Sequence, residues 1–107
     1  MGTPSVKGQM IRPVAQFRDA PAPKTLAVST TAAATTALGT NEILVQPTVD
    51  IFFLVGTSAD RTATPVTTSS GHRMPAGVAW PMLVDPEHVF QAITASGTGS
   101  VYISPIS

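Results

Sequence analysis

The chain contains no cysteine, so disulfide-stapled scaffolds, thiolate metal centres and cysteine nucleophiles are excluded. Charge is scarce as well. Lys, Arg, Asp and Glu make up 11% of the 107 residues, under half of the roughly 25% found in an ordinary soluble domain. The one close pair of carboxylates, Asp85 and Glu87 around Pro86, reads as a solvated turn and not as a glycosidase pair. Asn41 is the only asparagine, too little for a calcium loop. His72 and His88 are the only histidines, and no spacing unites them with each other or with carboxylates, so no metal site is expected. No serine stands in a G-x-S-x-G elbow, and Gly97-Thr98-Gly99 lacks the lysine and the strand-to-helix setting of a phosphate loop. No catalytic residue can be named, no cofactor is implied, and an enzyme is not expected. The longest run of large apolar residues, Ile51 to Val55, is far short of the roughly 20 residues of a membrane helix. Met1 to Val6 has no apolar signal core, and Val6 stands where a myristoylation signal has Ser or Thr; neither membrane nor secretory targeting is expected.

Hydrophobic residues are nonetheless plentiful, at 43%, and the formal net charge is zero. A small, neutral, charge-poor domain tends to associate, so its surface is expected to be covered by partners. Nonspecific nucleic-acid binding, which needs a basic domain, is not expected. The zero is a cancellation. Residues 1–24 hold Lys7, Arg12, Arg18 and Lys24 against Asp19, a net +3. Residues 25–107 hold Arg61 and Arg73 against Glu42, Asp50, Asp60, Asp85 and Glu87, a net −3. Pro4, Pro13, Pro21 and Pro23 bar a continuous helix from the first segment. It reads as an extended basic arm, with a reach on the order of 80 Å at about 3.3 Å per residue. Val6, Met10, Ile11, Val14 and Phe17 give it apolar anchors that a purely solvated tail lacks. Ile11, Arg12, Val14, Phe17, Arg18 and Lys24 are its candidate partner-binding residues.

Residues 25–107 read as an all-β domain, rich in Thr, Val, Ile and Phe with turn signals every 8–12 residues, the pattern of an antiparallel sandwich or barrel. Strands are expected near 25–31, 42–48, 50–55, 63–68, 78–84, 88–95 and 101–106, with strand plus loop, or a short helical turn, over 30–40. Turns are expected at 56–61, 69–71, 75–77 and 85–86, and a glycine-rich hairpin at 96–100. Pro47 ends its strand or marks an edge, Pro65 marks an edge, and Pro81 marks a bend or an edge. The stretch Asp50 to Val55 is apolar on both faces, so it is buried by the core on one side and by a second subunit or layer on the other. Ile51, Phe52, Phe53 and Leu54 are the candidate self-association residues.

One resemblance adds to this reading. Pro65 in a Thr-rich stretch, the segment Arg73 to Val78 with its P-A-G turn, and the segment Val89 to Ile103, which carries A-x-x-A-S-G-T-G-x-V-x-I, resemble small virion proteins of tailed bacteriophages. The likeness covers roughly residues 60–106 and leaves the arm out. In build the chain most resembles a capsid cement, or decoration, protein: a small β-sandwich or jelly-roll domain with an extended arm. The resemblance implies a homodimer or homotrimer bound to the major capsid protein on the head exterior, made in the bacterial host cytoplasm and bridging capsomers against internal DNA pressure. The other readings are a neck, tail or head-fibre component, and a carbohydrate-binding module using Trp80 and Tyr102 as platforms.

Overall fold

Period-two burial runs through three of the strands. A computed structural model describes Phe17 and residues 20–106. In β1 (Lys24–Val28), Leu26 and Val28 turn inward and Thr25 and Ala27 outward; in β3 (Glu42–Pro47), Ile43, Val45 and Pro47 are buried. The other strands are β2 (Ala33–Ala34), β4 (Ile51–Gly56), β5 (His72–Met74), β6 (Trp80–Leu83), β7 (Val89–Ile93) and β8 (Gly99–Pro105), with one short helix, α1 (Ser58–Ala63), between β4 and β5.

β1 pairs with β8, β2 with β7, β3 with β6 and β4 with β5, all antiparallel. The chain is thus one long hairpin whose tip is β4–β5. Rolling it up sets β8 beside β3 and β7 beside β4. Two four-stranded sheets result, in the orders β1-β8-β3-β6 and β2-β7-β4-β5. A hairpin wrapped in this way into two facing sheets is a jelly roll. Its core lies between the sheets: Leu26, Val28, Ile43, Val45, Val101 and Ile103 from the first, and Ile51, Met74, Phe90 and Ala92 from the second. Leu38, from the β2–β3 connection, joins them. The half-buried Phe53 ring stacks on Phe90 with centroids 5.2 Å apart. Burying each such aliphatic or aromatic side chain contributes roughly 1.5–3 kcal/mol, which is how so small a body offsets its ordering entropy.

The all-β sandwich expectation holds, and most strands lie within a few residues of their expected positions. Three local expectations do not. Residues 58–63 form α1, where a turn over 56–61 was expected: the Thr57 hydroxyl accepts the Asp60 N–H at 3.1 Å as an N-cap, with Asp60 in the first turn and Arg61 in the last. Residues 63–68 form no strand. Pro65 has no N–H for a ladder, and the Val66 N–H is spent on the Gln91 side chain at 2.8 Å. The 96–100 segment does not join paired strands, because β7 and β8 lie in different sheets. Its glycines serve a crossover. Gly97 takes φ +77°, and a Cβ on Gly99 would lie 2.5 Å from Val49 Cγ2, so β8 can start under the β3–β4 turn only with glycine there. Thr48 and Ser100 clasp that approach with two hydrogen bonds, at 2.8 and 3.0 Å.

Candidate interaction site

The N-terminal segment meets the body at the end of β8. Phe17 makes an isolated antiparallel bridge with Ile106, whose N–H donates to the Glu42 carbonyl at 3.1 Å. The Phe17 ring is 66% exposed, an apolar surface at the junction. Pro21, Ala22, Leu38, Ile43, Ile103 and Pro105 line a space of about 10 Å³, room for at most one water and no ligand. Lys24, expected to close the arm, is the first residue of β1, and its Nζ donates to Thr36 Oγ1 at 3.1 Å. It borders a shallow groove of about 380 Å³ lined by Thr25, Leu26 and Ala34 to Thr36. Ile11, Arg12, Val14 and Arg18 lie outside the described residues.

The four candidate self-association residues divide between two faces of β4. Ile51 pairs with Met74 and Phe53 with Ala92, on the inner face; Ile51 is 0% exposed and serves only the core. Phe52 and Leu54 share the outer face with Arg73, Gln91 and Ile93. That face is half-covered by the chain itself. The segment from α1 through Gly71 folds back across it and lays the buried Val66 beside Phe52, so closely that a Cβ on Gly71 would lie 2.7 Å from Val66 Cγ2 and 2.9 Å from Phe52 Cβ. Gln91 is the clasp. Its Oε1 accepts the Val66 N–H, and its Nε2 donates to the Arg61 carbonyl at 3.2 Å. Arg61 lies over Gly56, and its Nε and Nη1 are buried without an acceptor among the described residues.

At the β3–β4 turn, Asp50 joins two strands of the second sheet to the 75–77 turn. Its Oδ2 accepts from Arg73 Nη2 at 2.9 Å, and its Oδ1 accepts from the Ala76 N–H at 2.8 Å. The Ala76 N–H first, and the Arg73 guanidinium after it, hold the Asp50 carboxyl below the usual carboxylate range. Val49, Asp50, Phe52, Arg73, Ala95 and Ser96 line an open groove of about 380 Å³ there.

No three His, Cys, Asp or Glu side chains among the described residues are grouped to hold a metal ion, and no described helix is long and apolar enough to cross a membrane. Trp80 and Tyr102, the two aromatic candidates for a sugar platform, sit on opposite faces of the first sheet. Trp80 is in register with the core residue Val45, and Tyr102 with the outward Gln46. The outer face that carries Tyr102 also carries Thr25, Ala27, Leu44, Pro81, Leu83, Ser100 and Ser104, with Glu42 its one charged residue. The sequence alone does not show this face, because the pairing decides which strands contribute to it. No family model, curated protein or solved structure matches the chain.

Proposed function

We propose that the protein is a structural virion protein, a cement or decoration protein that binds the major capsid protein on the head exterior and stabilises the shell by bridging capsomers. The observation that carries this reading is the division of charge between a basic, apolar-studded N-terminal segment and an acidic rolled body, joined where Phe17 meets Ile106. Each Å² of apolar surface covered contributes roughly 25 cal/mol before the costs of association. Ile11, Val14 and Phe17 supply that surface, while Arg12, Arg18 and Lys24 steer it toward an acidic patch on the capsid protein. The body offers contact area in place of chemistry, as the resemblance of residues 60–106 to small phage virion proteins also implies.

Cryo-electron microscopy of the native particle tests the reading. The expected result is density for this chain on the head exterior, contacting two or more capsid subunits; density confined to the neck or tail overturns it. In binding to emptied shells, a chain lacking residues 1–16 is expected to lose most of its affinity while its circular dichroism spectrum is retained. Equal binding by the shortened and full chains removes the arm from the proposal.

A further inference from the structure

One segment of the body is seated by very little. From Thr57 to Gly71 the chain folds back over the outer face of β4 and β7, and Val66 is the single buried residue in that stretch; α1 buries none. Among the described residues, its hydrogen bonds to the sheet both run through the Gln91 side chain, one at the Val66 N–H and one at the Arg61 carbonyl. The same closed arrangement strands a charge. Arg61 lies over Gly56, where a Cβ would be 3.3 Å from its Nε, and both Nε and Nη1 are buried without an acceptor among the described residues. A guanidinium keeps its charge in a protein and can only donate, so burying it without an acceptor costs more than burying a neutral amide. Buried donors left in this way are rare in native structures and call for an explanation.

We propose that residues 57–71 form a strap that opens as a unit while the sandwich stays folded, driven by the stranded Arg61 guanidinium, and that opening uncovers Phe52 and Leu54. Two opposed contributions set the balance. Val66 seated against Phe52, together with the Gln91 clasp, favours the closed strap. Hydration of Arg61 Nε and Nη1 favours the open one. Because one side chain makes both ties, losing the Gln91 contacts frees the two halves of the segment together.

The sheet beneath does not depend on the strap. β4 is paired on one side with β5 and on the other with β7, and its core contacts, through Ile51, lie on the opposite face with Met74, Phe90 and Ala92. Opening therefore gives up one buried apolar side chain and leaves both sheets intact, which is the condition for local rather than global unfolding. Phe52 and Leu54 are then a gated surface, half-covered by the chain's own strap until it lifts. The proposal does not rest on the capsid reading, since it concerns the isolated chain.

Native-state hydrogen exchange of the full-length protein tests it. The Thr64 and Val66 amides are expected to exchange through one shared opening, roughly a hundredfold or more faster than those of Phe90 and Val101. Arg61→Met keeps an unbranched stem and the carbonyl bonded to Gln91 but removes the charge, and is expected to slow exchange at Val66 by about tenfold. Should that variant unfold, Arg61→Leu makes the same test. The chain has no cysteine, so single thiols give a second readout. Val66→Cys is expected to react with a thiol reagent in the folded protein, whereas Ala92→Cys, in the core, reacts only on global unfolding. Exchange of Val66 in step with Phe90 and Val101, exchange unchanged or quickened in a folded Arg61 variant, or equal reactivity of the two thiols each overturn the proposal.

Discussion

Asp50 shows how one exposed side chain organises a corner of the fold. Its carboxylate joins the β3–β4 turn to the 75–77 turn through the Ala76 N–H and to β5 through Arg73, and it is ionised more readily than an ordinary carboxylate for that reason. A carboxyl whose folded pKa is depressed contributes stability that is present above its unfolded pKa and is lost as pH falls through the folded value. The clasp is therefore in place at neutral pH and opens only below the range where ordinary carboxylates titrate. In a carboxyl-detected titration Asp50 is expected to be protonated at lower pH than an ordinary aspartate. Arg73→Ala is expected to move that midpoint upward only part of the way, because the Ala76 N–H is the larger cause. A midpoint in the ordinary range in the intact protein shows that the clasp is not formed in solution.

At the scale of elements, the segment from α1 to Gly71 owes its position to one buried amide. Gln91, 6% exposed in the middle of an apolar strand, replaces the ladder partner that residues 64–68 do not have. Gln91→Leu keeps the volume but leaves the buried Val66 N–H and the Arg61 carbonyl without partners. The expected loss is about 1–3 kcal/mol in denaturant unfolding, the usual penalty for stranding a buried donor. Hydrogen exchange is expected to quicken first at Val66 and in the flanking loop, while Phe90 and Val101 keep their protection. Uniform loss of protection across both sheets shows that the segment is part of the global unfolding unit instead. This covering layer was half legible. The two-faced apolarity of Ile51 to Val55 demanded something on its outer side, but the Thr57 cap was read as a turn and Pro65 as an edge strand. Local propensity did not show that a glutamine 25 residues beyond Val66 would take its N–H.

The whole molecule is shaped by pairing at long range. Lys24 lies opposite Ile103 and Ala33 opposite Ala92, and only β4 and β5 are both consecutive and paired. Loop-closure entropy is spent before most native contacts form, so folding is expected in the range of roughly milliseconds to seconds, as in all-β domains of high contact order. Stopped-flow refolding monitored through Trp80 measures it; complete refolding in microseconds contradicts the topology.

Composition and period-two patterning were enough to determine an all-β sandwich, because alternation along a strand is a local property. The charge division between the N-terminal segment and the body was equally plain in the sequence. Which strands pair was decided only by the tertiary structure. Glycine-rich links such as 96–100 look alike whether they close a hairpin or cross between sheets, and the choice rests on burying two apolar faces at once. The same rolling places Tyr102 and Trp80 on opposite faces, turns Ile51 and Phe53 into the core, and assembles from four separated strands a face that carries a single charge.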